Sequence, residues 1–90
     1  MSMDSQRLDK WLWHARFLKS RSQATALCRR QRVRVNRAVI DRAHHPLRVG
    51  DVLTFPQGDR IRVIRVLGLA AGRGSARAAA VLYEDLLPAT

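Results

Sequence analysis

The residues that could do chemistry in this chain are its cations, and they are concentrated near the N-terminus. Nine Lys or Arg and a single acid, Asp9, lie between Arg7 and Val35. Apolar residues at helical spacing are interleaved with them, so the stretch also has the means to fold. An ordered surface this basic is typical of proteins that bind the phosphate backbone of nucleic acid. The pattern therefore predicts an electrostatic docking surface.

Other kinds of site have little support in the sequence. The chain has seven carboxylates, no glycine-rich phosphate loop, and no Cys–His or Ser–His pair in a context that nucleophilic catalysis requires. His44 and His45 are adjacent in a predicted loop without a third ligand nearby, which is a poor metal site. The single cysteine, Cys28, lies in an apolar helical pattern that favours a buried, inert thiol. We therefore expect no enzyme, no cofactor and no metal.

Length and charge narrow the class of protein. Ninety residues make one small domain, without room for a catalytic domain beside a binding domain. The formal net charge is +10, from fifteen Arg and two Lys against seven acids. Arg suits phosphate and base recognition because its planar guanidinium forms bidentate hydrogen bonds and stacks on rings. No apolar run resembles a signal peptide or a membrane span, so a cytoplasmic protein is expected. A monomer is expected as well, but no residue pattern specifies the oligomeric state.

A first helix, over about residues 7–18, is predicted to carry part of the basic surface. One apolar stripe recurs there at helical spacing: Leu8, Trp11, Leu12 and Ala15. Lys10, His14 and Arg16 fall outside that stripe. Trp11 is expected in the core, whereas Trp13 points to another side of the helix, where both core packing and stacking on RNA bases remain open.

A second helix is predicted to begin at Ser20 and to continue to about Arg30. Ser20 followed three residues later by Gln23 is typical of a capping box. The free N–H groups of this helix start lie beside Lys19 and Arg21, a combination that favours phosphate binding.

The remaining residues predict a small antiparallel sheet and a helical tail, so the fold class is α+β. Strands are expected at residues 32–35, 39–40, 52–55 and 60–67. Alternation slips at Val63 and Ile64, which suggests a β-bulge. Residues 68–74 are expected to form a flexible linker, and Ser75 to cap a short helix over about 76–82.

This order of elements, and the residues themselves, resemble the S4-type RNA-binding domain with its alpha-L motif. The resemblance runs from about Arg7 to Leu67 and rests on RLDKWLWHARFLKSRSQATALCRRQRVRVN followed by VGDVLTF. It implies two N-terminal helices packed on a small antiparallel sheet, with a loose N-terminus at 1–5, the S4-type domain at 6–68 and a tail at 69–90. It also implies RNA contacts from Arg7, Lys10, Arg16, Lys19, Ser20, Arg21, Arg32 and Asn36. The basic pattern adds Arg30, Arg34 and Arg37.

A narrower resemblance concerns the partner. The opening RLDKWLWHARF and the late GRGSARAAAVLYED are similar to the bacterial fifteen-kilodalton heat-shock proteins. That family implies docking on the large ribosomal subunit, notably free subunits that still hold a nascent chain on tRNA.

Gln31 and Arg37 depart from the S4 pattern, which has glycine at both places. Because glycine supplies a positive φ at little cost, we expect either another geometry or strain of about 1 kcal/mol there.

Two other functions compete with a ribosomal factor. An S4-type module could serve another RNA complex or an enzyme partner, since this pattern is also appended to RNA-modifying enzymes. A basic protein could instead bind anionic membrane through the first helix. The membrane hypothesis requires a continuous exposed apolar face on that helix, whereas the S4-like fold should cover it with the sheet.

Overall fold

The computed structural model describes residues 4–87, and the first three residues of the expected loose N-terminus lie outside that range. In chain order, the helices and strands are β1 (Gln6–Arg7), α1 (Leu8–His14), α2 (Arg21–Arg29), β2 (Val33–Val35), β3 (Ala38–Ile40), β4 (Pro46–Leu47), β5 (Val52–Gln57), β6 (Arg60–Val66), α3 (Ala76–Ala80) and β7 (Tyr83–Asp85). Five strands form an antiparallel sheet in the order β3-β2-β5-β6-β7, and β1 pairs with β4 separately. The predicted α+β class is confirmed.

The core lies between the two helices and one face of the five-stranded sheet. Leu8, Trp11 and Leu12 of α1 are fully buried, as the helical stripe predicts. Alternate residues of the sheet meet them, including Leu53 and Ile64. Membrane binding requires the apolar face of α1 to be exposed, but this face is buried in the core.

Helix α1 is shorter than its sequence predicts because a Schellman-type cap ends it. The N–H of Arg16 bonds to the carbonyl of Trp13, and the N–H of Phe17 bonds to that of Leu12. This cap requires a left-handed residue, and Arg16 takes that conformation with φ 67°. Residues 15–20 consequently form a turn rather than the last part of a helix.

Helix α2 ends in the same way at Gln31, which has φ 60°. Its N–H bonds to the carbonyl of Cys28, and the N–H of Arg32 bonds to that of Leu27. The geometry typical of glycine is therefore kept here by a residue with a side chain. At the β2–β3 hairpin another geometry is used, because Asn36 rather than Arg37 takes the positive φ.

The β-bulge suggested for β6 is absent from the described sheet. Residues of β5 and β6 pair one to one from Val52 with Arg65 to Gln57 with Arg60. The alternation of polar and apolar residues is interrupted in the sequence of β6 because Arg62, a charged residue, occupies a core-facing position. Its guanidinium lies 5.2 Å from the ring centre of Phe17 and bonds to Gln57 and Asp85.

The C-terminal segment differs from its prediction in two respects. Helix α3 ends at Ala80, and the next residues form β7 on the edge of the sheet. Residues 68–74, expected to be a flexible linker, are held by hydrogen bonds: Trp11 Nε1 donates to the carbonyl of Gly68, and Gln6 bonds to both N and O of Ala70. The domain boundary at residue 68 stays a prediction.

His14 is also placed differently from its prediction. Its ring is buried, although the helical pattern sets it on the polar side with Lys10. The reason is tertiary, since Nδ1 lies 3.3 Å from the carbonyl oxygen of Ala70, in a segment distant in sequence.

Candidate nucleic-acid interface

A buried carboxylate fixes the start of α1 against α2. Arg7 donates from Nε and Nη2 to the two carboxylate oxygens of Asp9, each at 3.0 Å. Thr25 of α2 donates its hydroxyl to the same carboxylate at 2.8 Å. Asp9 therefore pairs with Arg7 and links the start of α1 to α2.

The same contacts set the charge of Asp9. Burial alone raises the pKa of this carboxyl, but hydrogen bonds from Arg7 and Thr25, with the Arg7 charge and the Lys10 N–H, outweigh burial and leave the pKa lowered. Asp9 in turn raises the pKa of Arg7. Arg7 therefore presents a half-exposed guanidinium whose orientation is set by the protein.

The start of α2 is capped as the sequence predicts. Ser20 is extended, and its Oγ accepts a 3.1 Å hydrogen bond from the N–H of Gln23. This is one half of a capping box. Lys19 and Arg21 flank Ser20 and are exposed, so cations stand beside the free N–H groups of the helix start.

Four of the predicted cations share one basic groove of 840 Å³. Arg16 and Lys19 come from the turn between the helices, and Arg30 and Arg32 from the segment joining α2 to β2. A fifth cation, Arg73, completes the groove from residues 68–75. Among the described residues that line it, none is acidic.

The other predicted residues lie around this groove. Arg34 and Arg32 line a smaller depression, and Arg34 points to the outer face of the sheet, opposite the helices. Asn36 uses its side chain within the protein: Oδ1 accepts from the N–H of Val52, and Nδ2 donates to Asp51. Arg37 follows at the exposed hairpin, and Lys10 is half-exposed on α1. The structure thus brings together Arg16, Lys19, Arg30 and Arg32, but not the hairpin residues.

Arg73 and Gln57 are groove residues that the sequence pattern did not indicate. The Arg73 guanidinium lies 5.4 Å from the ring centre of Trp13 and donates to the carbonyl of Lys19 at 3.3 Å. Gln57 donates to the carbonyl of Phe17 at 3.0 Å. Both contacts join segments at least 40 residues apart. The charge of Arg73 is the one feature of the sequence that could indicate its place in the groove. Because Arg73 lies in a segment predicted to be a flexible linker, this feature does not single it out.

Trp11 and Cys28 occupy the positions that their patterns predict. The Trp11 ring is fully buried, whereas Trp13 is half-buried beneath Arg73. Burial raises the pKa of the Cys28 thiol to about 12, which keeps it protonated and unreactive at neutral pH. Within residues 4–87, no helix is long and apolar enough to cross a bilayer.

Known proteins resemble this chain over most of its length. A family model of the S4 domain matches residues 6–53. A heat shock protein 15 homolog of Haemophilus influenzae is 37% identical over 87 residues, which are 94% of this chain and 64% of that protein. Heat shock protein 15 of Escherichia coli K12 is 35% identical over 79 residues, 88% of this chain and 59% of that protein. The chain spans about three-fifths of the length of these curated relatives.

A solved structure agrees with the sequence matches. It is described as a trimeric structure of Vibrio cholerae heat shock protein 15 and has a TM-score of 0.87 and 31% sequence identity. The match covers 93% of this chain and 84% of that chain. The expected helix pair on an antiparallel sheet is therefore a known arrangement. The monomer expected from the sequence finds no support in this comparison.

Proposed function

This chain belongs to the S4 domain family, which supports RNA binding, and we propose that it docks on structured ribosomal RNA of the large ribosomal subunit. The proposed role is recycling of stalled large subunits that carry a nascent chain on tRNA, in the cytoplasm. Its similarity to heat shock protein 15 over most of its length supports this partner. The protein acts as a docking factor rather than an enzyme.

One observation carries the RNA-binding part: the cations of the groove are not neutralised by the protein. Within residues 4–87, ion pairs occupy three arginines: Arg7, Arg62 and Arg65. Two of these pairs link β6 to β7, at the opposite end of the sheet from β3. The groove cations therefore remain available to replace the counterions of RNA phosphates.

The groove and its surroundings define the proposed RNA surface. Arg16, Lys19, Arg30 and Arg32 bind phosphates from within the groove, and Ser20 fixes the helix start at which Arg21 stands. The outlying members of the surface are Arg7, Lys10, Arg34 and Arg37, with Asn36 supporting the hairpin. Such a small footprint restricts base readout, so specificity comes from the folded shape of the RNA and its phosphate array.

Sucrose-gradient sedimentation of a cell lysate at near-physiological salt tests the partner. We expect the protein to co-migrate with free large subunits and to be enriched when these carry peptidyl-tRNA. An Arg16→Ala, Arg32→Ala double variant should shift to the top of the gradient. The matched control is the Arg65→Ala, Arg77→Ala double variant, since it removes the same charge from two exposed residues outside the groove.

The competing function is an S4-type module that serves another RNA complex. Equal distribution over small subunits, large subunits and bulk RNA would reject the ribosomal partner and leave a general RNA binder. Sedimentation with a different, discrete complex would identify the second function instead.

A further inference from the structure

The basic groove has an apolar lining as well as cations. Leu18, Leu27 and Pro56 line it and are each half-buried. Leu18 and Leu27 also pack against the core, but phosphate binding does not require their partly exposed apolar surface, because phosphates remain hydrated and polar. The groove volume of 840 Å³ lies within the range of about 300–1,000 Å³ in which small organic groups are bound. The groove thus suits a ligand with both a flat apolar part and anionic parts.

The surrounding charge specifies the anionic parts. Arg16 and Lys19 border the groove from the turn between the helices, Arg30 and Arg32 from the end of α2, and Arg73 from the C-terminal segment. The cations thus come from three segments, and they line the same groove as the apolar side chains. An aromatic base with a phosphate on either side has this distribution of charge.

The wall of the groove is held in place before any ligand binds. Three consecutive backbone carbonyls of the turn after α1 accept side-chain hydrogen bonds: those of Phe17, Leu18 and Lys19. Gln57 donates the first at 3.0 Å, and Arg73 donates the others at 3.5 and 3.3 Å. A fixed wall lowers the entropy lost when a ligand is bound.

We propose that this groove receives one unpaired nucleotide of the RNA, with its base against Leu18, Leu27 and Pro56 and its flanking phosphates on the surrounding cations. A base inside an A-form duplex is stacked and inaccessible, so the nucleotide must come from a bulge, loop or end. The proposal rests on the proposed function and deepens it. Pro56 and Arg73 lie outside residues 6–53, so part of the groove is formed by residues beyond the S4 match.

Three RNAs test base recognition on the unaltered protein: a short duplex, the same duplex with one bulged adenosine, and the same bulge with an abasic nucleotide. The two bulged RNAs carry the same number of phosphates, so their difference isolates the base. Fluorescence anisotropy at one fixed salt concentration should show binding of the adenosine bulge at least about fivefold tighter than the abasic bulge, the low end of base stacking. Equal affinities for the two bulged RNAs overturn the proposal at any overall affinity.

A pair of variants locates the base in the groove. Leu18→Gln removes apolar lining without a change of charge and should abolish the adenosine preference, while affinity for the abasic bulge is retained. Val39→Gln makes the same kind of change on the outer face of the sheet and should keep the preference. Preference retained in Leu18→Gln overturns the proposal, and circular dichroism shows whether each variant is folded. If Leu18→Gln does not fold, the abasic comparison decides the question.

The titrations with bulged RNAs and the sedimentation experiment test the groove and the ribosomal partner independently. If the bulged RNAs bind alike while the protein still sediments with large subunits, the groove proposal is wrong and the ribosomal partner stands. If the adenosine preference is found but large subunits are not bound, the groove proposal stands with another RNA as target.

Discussion

Arg16 and Gln31 occupy equivalent places, each at the left-handed position that ends a helix. For a residue with a Cβ, this conformation costs about 1–2 kcal/mol. At Arg16 the cost accompanies a contact, because its guanidinium lines the basic groove and donates to the carbonyl of Gly74 at 3.0 Å. Backbone strain of this kind is concentrated at functional sites. Gln31 lies outside that groove, and nothing in the structure explains why glutamine rather than glycine occupies this position.

Glycine substitution at the two positions separates strain from function. Gln31→Gly should raise the free energy of unfolding by about 0.5–1 kcal/mol, because glycine adopts the left-handed conformation without a clash. Arg16→Gly should be at least as stable as the parent, since relief of strain offsets the exposed bond to Gly74. Urea titration measures both effects.

RNA affinity should distinguish this matched pair. We expect Arg16→Gly to bind RNA more weakly, because a groove cation is lost, and Gln31→Gly to bind as the parent does. A reduced affinity of both variants would mean that the helix ends, not the Arg16 charge, matter for binding.

The clustering of cations in the sequence indicates the class of partner more reliably than it indicates which residues line the groove. Clustering of cations pointed to Arg16, Lys19, Arg30 and Arg32, which the fold brings together. Arg73 was missed because its position depends on Trp13 and on carbonyls more than 50 residues away. His14 was assigned to the wrong side of its helix for the same reason, as its partner is Ala70. Contacts made by distant backbone leave no periodic signal in the sequence.

Serine caps illustrate what local sequence predicts well at the scale of elements. Ser20 caps α2, and Ser75 caps α3 by accepting from the N–H of Ala78 at 3.1 Å. Both starts were predicted because a cap is a contact within four residues. The lengths of α1 and α3 were not, because the cap at Arg16 and the pairing of β7 with β6 end them.

Alanine substitution of the two caps should have different consequences. Ser20→Ala is expected to lower the free energy of unfolding by about 1 kcal/mol and to weaken RNA binding, because α2 then begins less regularly beside Lys19 and Arg21. Ser75→Ala removes the equivalent bond from α3 and should lower stability alone. Thermal melts and RNA titrations measure the two properties. Unchanged stability and affinity in Ser20→Ala would refute the capped helix start.

The C-terminal segment is joined to α1 through His14, and this contact is sensitive to pH. Burial lowers the pKa of the His14 imidazole; the Ala70 carbonyl opposes this effect, and the charges of Lys10, Arg21 and Arg73 reinforce it. A histidine whose pKa is lower in the folded state binds more protons when unfolded. Stability is therefore fully present above the unfolded pKa of about 6.5 and declines as pH falls below it.

Replacement of His14 should flatten that pH dependence. Urea titrations of the parent at pH 7.5 and 5.5 are expected to give a lower free energy of unfolding at pH 5.5. His14→Gln retains a side-chain amide for the Ala70 carbonyl and should reduce the difference between the two pH values. The same difference in the variant would show that other groups cause it.

Charge is unevenly arranged over the whole molecule. Asp85 and Glu84 neutralise Arg62 and Arg65 at one end of the sheet, whereas the cations between the helices and β2 face solvent. The composition predicted a net charge of +10 but not this separation, which depends on the pairing of β6 with β7. Because Asp85 and Glu84 pair with Arg62 and Arg65, these two acids do not neutralise the cations of the groove, and the positive potential there is retained.

The salt dependence of RNA affinity should therefore depend on where a cation lies in the structure rather than on the net charge of the protein. If about five phosphates are engaged, log K should fall with log salt concentration at a slope of roughly −3.5 to −4.5. Arg21→Ala and Arg65→Ala remove the same charge, one beside the α2 start and one at the β6–β7 pair. We expect Arg21→Ala to reduce the slope by nearly one unit and Arg65→Ala to leave it unchanged. Equal reductions would mean that the whole charged surface attracts RNA without a defined face, and a slope near zero would exclude phosphate binding as the basis of affinity.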